Sequence, residues 1–115
     1  MDRLQTRVNS SDASFKSNHE HNSTLLATLR ERLDGVQQGG GGKYVEKHRS
    51  RGKAMPRERI SAICDPGTPF LELSPLAAYD LYDGKAASAG MITGIGVIHG
   101  KECLFVANDA TVKGG

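Results

Sequence analysis

Polar and flexible residues cluster in the last part of the chain, where they could form a binding loop. They are Asn108, Asp109, Lys113, Gly114 and Gly115. A lysine ammonium group and exposed glycine amides donate hydrogen bonds, so they suit the carbonyl or phosphate oxygens of a ligand. Asn and Asp side chains also satisfy the amides of tight turns, so the same loop can be purely structural. The residues themselves leave both interpretations open.

A strongly basic segment covers residues 43–59. It holds seven of the 15 Lys and Arg residues: Lys43, Lys47, Arg49, Arg51, Lys53, Arg57 and Arg59. Seven cations against two carboxylates, Glu46 and Glu58, give this segment a charge of +5, whereas the whole chain carries +2. Such a segment attracts phosphate groups, nucleic acid or an acidic partner surface, and the structural alternative is a solvated helix face with subunit contacts. Tyr44 is the one aromatic residue in the segment, so the stacking platforms of a nucleic-acid-binding protein are nearly absent.

Two glycine motifs look like nucleotide-binding loops but do not meet their requirements. The run Gly39–Gly42 precedes Lys43, but Gln37 stands where a P-loop needs its first glycine and Tyr44 where it needs Ser or Thr. The segment Gly94–Gly100 has one residue too many for a dinucleotide fingerprint, and it connects strand to strand rather than strand to helix. We therefore expect a linker at the first motif and strand glycines at the second.

The histidines and cysteines predict neither a metal site nor a catalytic arrangement. These residues are His19, His21, His48, His99, Cys64 and Cys103. His19 and His21 lie in a polar segment without a thiol or a third ligand nearby, so they are expected to be solvated. The two cysteines are far apart and lack framework spacing, so they are expected to be reduced thiols. The residue types thus predict no catalytic residue in this chain.

The elements that position these groups begin with one long helix. Residues 1–21 are poor in large apolar side chains and are expected to form a disordered tail. Residues 22–38 are predicted to form an amphipathic helix with its N-cap at Asn22 or Ser23, because leucines recur at spacings of three and four. The glycines at 39–42 are expected to form a flexible linker.

Two shorter helices follow. Residues 43–50 are predicted to form a basic helix that Gly52 closes. Pro56 suits the first position of a third helix, because its missing N–H group would have no partner there. That helix is expected to bury Ile60, Ile63 and Cys64 before an Asp-Pro-Gly sequence stops it.

Strands make up the rest of the chain. Residues 70–73 are predicted to form a short strand that is separated by a long loop from strands at 91–98 and 101–108. The His99-Gly100 pair between the two longer strands predicts a β-hairpin. The continuous apolar run Leu104–Val106 is typical of a strand that is covered on both faces.

The composition bounds the class of protein. A chain of 115 residues is one domain at most, and 37% hydrophobic residues with 5% aromatics and no Trp allow only a modest core. No apolar stretch is long enough to span a membrane, so the chain is not expected to have a membrane as a partner. Acidic residues near the start, Asp2, Asp12 and Glu20, argue against an organelle transit peptide. The expected location is the bacterial cytoplasm, with the mitochondrial matrix as the alternative.

Several motifs in order, over residues 39–115, resemble the carboxyltransferase (beta, non-biotinylated) subunits of biotin-dependent acyl-CoA carboxylases, and in particular the methylcrotonoyl-CoA carboxylase type. The resemblance rests on Arg51-Gly52-Lys53, Pro56–Ile60, Asp65–Leu73, Gly90–Gly96 and Val106–Gly115. It implies an α/β fold of the crotonase-like or ClpP-like carboxyltransferase superfamily. Residues 43–115 would be the start of its N-terminal domain, truncated at Gly115, with only the N-terminal helices and first strands present.

The resemblance also implies a function. Such a subunit moves a carboxyl group from carboxybiotin to 3-methylcrotonoyl-CoA in leucine degradation, with geranyl-CoA or another acyl-CoA as the alternative acceptor. The loop of Asn108, Asp109, Lys113, Gly114 and Gly115 would lie beside the acyl-CoA site, and Arg57 and Arg59 are candidates for contacts with CoA. No catalytic residue falls within this stretch, so the 115-residue chain alone is expected to be inactive.

The partners implied are a biotin-carrying, ATP-binding alpha subunit and further beta subunits, in an assembly of six of each. Biotin would belong to the partner subunit, with no cofactor held by this chain and no nucleic acid bound. Two other functions stay open: a non-catalytic interaction module derived from the same family, and a small nucleic-acid-binding protein that uses the basic segment.

Overall fold

The computed structural model describes residues 3–115, which divide into two compact units, one up to Glu31 and one from Arg32 to Gly115. Helices run over Ala13–Gln37 (α1), Gly42–Arg49 (α2) and Pro56–Ile63 (α3), and strands over Leu71–Leu73 (β1), Met91–Ile98 (β2) and Lys101–Asn108 (β3). A short 3₁₀ helix, Ala87–Gly90, leads into β2. Because α1 crosses from the first unit into the second, its two parts are described separately.

The first unit consists mainly of the polar part of α1. The helix begins at Ala13, so the predicted N-cap at Asn22 or Ser23 is wrong, and residues 13–21 are helical rather than part of a disordered tail. The carbonyl of Asp12 accepts a hydrogen bond from the Lys16 amide (3.0 Å) at this helix start. Apolar periodicity missed these turns because they carry few apolar side chains. The first two residues of the predicted tail, Met1 and Asp2, lie outside the described residues.

Helices α2 and α3 of the second unit agree closely with the predicted bounds. Pro56 is the first residue of α3, and the Glu58 carboxylate accepts a hydrogen bond from the Met55 amide (2.9 Å), which satisfies a donor at the helix start. Ile60 is buried, as predicted, and Cys64 is half-buried. The prediction that Ile63 is buried is wrong, because its side chain at the end of α3 is 53% exposed.

The three strands form an antiparallel sheet in the order β1-β2-β3. The predicted hairpin is confirmed to the residue, since Ile98 pairs with Lys101 across His99 and Gly100. Both turn residues have positive φ (+49° and +73°), which is the two-residue turn that matches the twist of a hairpin.

The two faces of the sheet differ. On one face Ile92 is fully buried, and the Phe70 and Phe105 rings meet edge to face with centroids 5.7 Å apart. On the other face Leu104 and Val106 are 72% and 62% exposed. The prediction of a strand covered on both faces is therefore wrong for β3 in this chain, because its burial alternates with the pleat.

No helix within residues 3–115 is long and apolar enough to cross a membrane. No group of three or more His, Cys, Asp or Glu side chains within residues 3–115 is placed to hold a metal ion.

Asp65 fastens the hairpin turn to the end of α3. Its two carboxylate oxygens accept hydrogen bonds from the amides of Gly100 and His99, each at 2.7 Å, and its own amide donates to the Val97 carbonyl at 2.8 Å. These two N–H groups, Gly100 first and then His99, hold the pKa of the Asp65 carboxyl below its ordinary value.

We expect Asp65→Asn to destabilise the fold, and to do so in a pH-dependent way. A lowered pKa means that the carboxylate contributes stability above its unfolded-state pKa, near 3.8, and loses that contribution as the pH falls toward the folded-state value. The wild-type advantage in urea unfolding midpoint should thus be full at pH 6 and shrink below about pH 4. Glu102→Gln, an exposed change on the same hairpin, is the control, and an equal difference at all pH values would refute the assignment.

Two glycine substitutions test how closely the strands pack. A Cβ atom on Gly94 would lie 2.2 Å from Cζ of Phe70 and 2.6 Å from the Leu71 carbonyl oxygen, so Gly94→Ala forces β1 away from β2. We expect a loss of about 1–3 kcal/mol in the free energy of unfolding. Gly35→Ala is the matched control, because open space surrounds that position in α1 and alanine should add up to about 1 kcal/mol. Equal effects in denaturant titrations would contradict this packing.

Candidate functional site

The loop after β3 is organised around a buried carboxylate. Asp109 and Thr111 are only 2% and 3% exposed. The Asp109 amide donates to the Gly90 carbonyl (2.8 Å), and the Asp109 carbonyl accepts from the Val112 amide (3.0 Å). The predicted ligand-binding residue Asp109 is therefore enclosed within the loop, with its side chain almost completely buried.

A chain of hydrogen bonds links this loop to the glycine run, and we call it the clasp, formed by Asp109, Thr111 and Gly40. The Thr111 hydroxyl donates to Oδ1 of Asp109 (2.6 Å), and the Thr111 amide donates to the same oxygen (2.9 Å). The Gly40 amide donates to the Thr111 hydroxyl oxygen (2.9 Å). The clasp holds together two segments that are 71 residues apart in sequence.

The expected flexible linker at 39–42 is in fact packed over its first half. A Cβ atom on Gly40 would lie 1.7 Å from the Thr111 carbonyl oxygen, and one on Gly39 would lie 2.8 Å from the Thr111 hydroxyl oxygen. Gly41 and Gly42 have open space around them, and Gly42 already belongs to α2. The prediction of a flexible linker is thus wrong for Gly39 and Gly40, because these two glycines allow the backbone to approach Thr111 closely.

A groove lies beside the clasp, and we call it the basic groove. It consists of two adjoining cavities of about 350 and 160 Å³, which share Tyr44 and Ala110 in their walls. The remaining lining residues are Gly40, Lys85, Lys113 and Gly114 in the larger cavity and Lys47, His48, Arg51 and Lys53 in the smaller one. Five Lys and Arg side chains thus line the two cavities, and no carboxylate of residues 3–115 lines either cavity, so the groove is suited to an anion.

One wall of the groove is α2, and the other is the loop. Tyr44 and Lys47 are three residues apart in α2, which places them on one side of the helix, and Arg51 follows in the turn after its last residue. Across from them, Lys113 lies with Nζ 4.6 Å from the centre of the Tyr82 ring, a cation–π contact that restricts the lysine side chain.

The structure separates the predicted site residues into different places. Lys113 and Gly114 line the basic groove. Asn108 and Arg59 instead line a separate cavity of about 420 Å³ between α3 and β3, outside the basic groove. The other walls of this cavity are mainly apolar. Gly115 lies near Asn108, since a Cβ on this glycine would be 3.4 Å from the Cβ of Asn108.

Two cations of the basic segment are already engaged by carboxylates. Arg57 forms a two-point ion pair with Glu72, with Nε to Oε2 at 3.0 Å and Nη2 to Oε1 at 2.6 Å, and both side chains are mostly buried. Arg49 pairs with Glu58, and this hydrogen bond, followed by that from the Met55 amide, lowers the pKa of the Glu58 carboxyl. Arg57, a candidate for contact with CoA, is thus engaged in an ion pair within the chain, and its contact with a ligand stays a prediction.

Sequence reasoning missed the groove residues in the loop between β1 and β2. Nothing in the sequence indicated that Lys85 and Tyr82 would meet the last loop, because that contact depends on the tertiary fold. The sequence did carry a signal for α2, since Tyr44 and Lys47 recur at helical spacing within the basic segment.

Comparison with known proteins gives this geometry a family. Residues 47–115 match the carboxyl transferase domain family. The chain is 49% identical to the mitochondrial methylcrotonoyl-CoA carboxylase beta chain of Arabidopsis thaliana, over 97% of this chain and 19% of that protein. The crystal structure of the beta subunit of P. aeruginosa geranyl-CoA carboxylase superimposes with a TM-score of 0.82 at 38% identity, covering 97% of this chain and 21% of that one.

A third relative was solved with a ligand. Transcarboxylase 12S, described as a hexamer assembly with methylmalonyl-coenzyme A and methylmalonic acid bound, superimposes with a TM-score of 0.69 at 30% identity. This match covers 80% of the present chain and 19% of the transcarboxylase chain. The chain thus spans about a fifth of the length of these relatives.

The chain belongs to the carboxyl transferase domain family. The predicted α/β fold of the crotonase-like carboxyltransferase superfamily is confirmed, and so is the resemblance to beta chains of the methylcrotonoyl-CoA carboxylase type.

The role of Arg57 can be tested by a conservative change. Arg57→Lys keeps the charge but loses the two-point contact with Glu72 and the bond from Nη2 to the Ser88 hydroxyl (3.1 Å). We expect the free energy of unfolding to fall by about 1–3 kcal/mol, while the affinity for anionic ligands stays unchanged. Arg59→Lys is the control for stability, because Arg59 is exposed and forms no ion pair with any of residues 3–115. If Arg57→Lys is as stable as the wild type but binds anions more weakly, Arg57 contacts the ligand rather than serving only in the ion pair with Glu72.

Proposed function

We propose that this chain is part of the beta subunit of a biotin-dependent methylcrotonoyl-CoA carboxylase, and that its basic groove binds the phosphate-bearing part of the acyl-CoA substrate. The observation that carries the proposal is the groove itself, in which Lys47, Arg51 and Lys53 face a loop that carries Lys113. The 49% identity to a methylcrotonoyl-CoA carboxylase beta chain supports the substrate class.

The chemistry of coenzyme A fits the two ends of the groove. Its adenosine carries a 3′-phosphate and a diphosphate, which are the groups that a cluster of Lys and Arg side chains binds. Tyr44, exposed on the wall that both cavities share, offers an aromatic face for the adenine ring. The larger cavity, lined by Lys113 and the Gly114 backbone, would take the part of the ligand that leads toward the acyl group.

The contribution of these residues to the reaction is binding and orientation. Holding the acyl-CoA in one place converts the encounter with the carboxyl donor into a reaction between positioned groups. Biotin, carried by a partner alpha subunit, supplies the activated carboxyl group, and we assign no residue of this chain to it. The acceptor carbon becomes nucleophilic by proton loss conjugated to the thioester, and we assign no side chain described here to that proton.

The proposed function also implies partner subunits and a cellular compartment. We propose that the subunit works with biotin-carrying alpha subunits and with further copies of itself, in six-plus-six stoichiometry. The related transcarboxylase 12S is described as a hexamer assembly, which supports the beta-beta contacts. The bacterial cytoplasm is the proposed compartment, with the mitochondrial matrix as the alternative, since the Arabidopsis relative is mitochondrial.

A second acyl-CoA substrate has one observation in its favour. The geranyl-CoA carboxylase beta subunit superimposes over nearly the whole chain with a TM-score of 0.82. Both substrates share the coenzyme A part, so the basic groove fits either, and carboxylation assays with 3-methylcrotonoyl-CoA and geranyl-CoA on the assembled enzyme distinguish them.

Substitution of the groove cations tests the proposal directly. In isothermal titration calorimetry with CoA, Lys47→Gln and Arg51→Gln should each raise Kd by roughly tenfold, because each removes a charge-assisted contact worth about 1.5 kcal/mol or more. Lys101→Gln, an exposed lysine on β3 outside the groove, is the matched control. Wild-type affinity should also fall for dephospho-CoA, which lacks the 3′-phosphate.

Three results would contradict the proposal in different ways. No binding of CoA by the wild type would remove the groove as an acyl-CoA site. Equal affinity of the groove variants and the wild type would place CoA elsewhere, with the cavity of Arg59 and Asn108 next to be tested. Tighter, salt-sensitive binding of a DNA oligonucleotide than of CoA would favour a nucleic-acid-binding protein.

A further inference from the structure

The two walls of the basic groove are joined beside the ligand space by a single side-chain hydrogen bond. Gly40 stands two residues before the start of α2, and Thr111 stands two residues before Lys113. Within residues 3–115, the bond from the Gly40 amide to the Thr111 hydroxyl is the one hydrogen bond that connects the glycine run with the loop. Loss or lengthening of this bond would therefore change the distance between the two walls.

We propose that Asp109 and Thr111 are positioning residues, which set the width of the basic groove through the clasp. This inference rests on the proposed function, because it assigns them to the same acyl-CoA site. Neither side chain would touch the ligand, since both are almost completely buried. They act through Gly40 on α2 and through the loop backbone on Lys113.

The direction of the hydrogen bonds explains why a carboxylate stands at position 109. A carboxylate only accepts hydrogen bonds, so the Thr111 hydroxyl proton must point to Oδ1 of Asp109 (2.6 Å). That orientation leaves a lone pair of the hydroxyl oxygen for the Gly40 amide (2.9 Å). Asp109 thus fixes the hydroxyl as a donor on one side and an acceptor on the other.

The loop needs such a restraint because its backbone is unfavourable. Lys113 has a φ of +47°, a conformation that side-chain-bearing residues rarely adopt, and Gly114 and Gly115 follow with φ of +91° and +99°. Three successive residues with positive φ have no regular secondary structure to hold them. The clasp and the bond from the Gly115 amide to the Val112 carbonyl (2.8 Å) fix this turn.

The steric contacts point the same way. The Gly40 backbone lies so close to the Thr111 carbonyl oxygen that a Cβ atom at position 40 would overlap it. Gly42, at the start of α2, meets nothing within 4 Å. Gly40→Ala is therefore expected to push the walls apart, and Gly42→Ala serves as its matched control.

The test compares Thr111→Val, which keeps the side-chain shape without the hydroxyl, with Thr111→Ser, which keeps the hydroxyl. Calorimetric titration with CoA and with dephospho-CoA gives both the Kd and the number of competent sites. We expect Thr111→Val and Gly40→Ala to raise the Kd for CoA at least tenfold and to reduce the preference for CoA over dephospho-CoA. Thr111→Ser and Gly42→Ala should stay within about twofold of the wild type.

A merely structural role gives a different pattern. It would lower Tm and the number of competent sites in Thr111→Val while the remaining sites kept the wild-type Kd and the wild-type preference. That pattern, or equal CoA binding by Thr111→Val and the wild type, would overturn the inference. If the wild type does not bind CoA at all, the proposed function fails instead, so the two failures are distinguishable.

A measurement without any variant covers the case in which Thr111→Val does not fold. Amide hydrogen exchange of the wild-type chain should show the Gly40 amide protected and the Gly41 amide exchanging fast. CoA binding should further slow exchange at Gly40, because the ligand stabilises the closed groove. If the Gly40 amide exchanges as fast as the Gly41 amide, the hydrogen bond of the clasp is absent.

Discussion

A carboxylate that is removed from water must find hydrogen-bond donors, and Asp109 imposes this condition on the whole loop after β3. The donors nearest to it are the amide and the hydroxyl of Thr111, so the chain has to turn back on itself at this point. The turn brings Thr111 against the glycine run, where only a residue without a Cβ atom fits. The contact between the glycine run and the loop thus depends on the buried Asp109 side chain.

The cations of the basic segment differ in whether a carboxylate holds them. Arg49 and Arg57 are held by Glu58 and Glu72 and brace the start of α3 and the sheet. Lys47, Arg51 and Lys53 instead line the basic groove, and no carboxylate of residues 3–115 lines that groove. In the proposed function an anionic ligand supplies their counter-charge, so a segment that looks uniform in sequence would serve both structure and binding.

Local patterns were sufficient where an element depends on its own residues. The hairpin and the start of α3 were predicted to the residue, because turn glycines and an N-terminal proline act locally. The first turns of α1, residues 13–21, were missed because they carry few apolar side chains and so show no apolar stripe. The buried state of Asp109 and the pairing of Arg57 with Glu72 were not predictable, because both depend on segments brought together only by the fold. The basic groove forms only because α2 faces the loop after β3, and no local sequence pattern predicts that contact.

Chemical-shift mapping by NMR during titration with CoA shows whether the basic groove is the coenzyme A site. We expect the shifted amides to cluster in α2, at Lys85 and between Ala110 and Gly114, with Gly40 among them. Shifts concentrated at Arg59, Ile63 and Asn108 would instead place the ligand in the cavity between α3 and β3. That result, or the absence of shifts at saturating CoA, would exclude the basic groove as the CoA site.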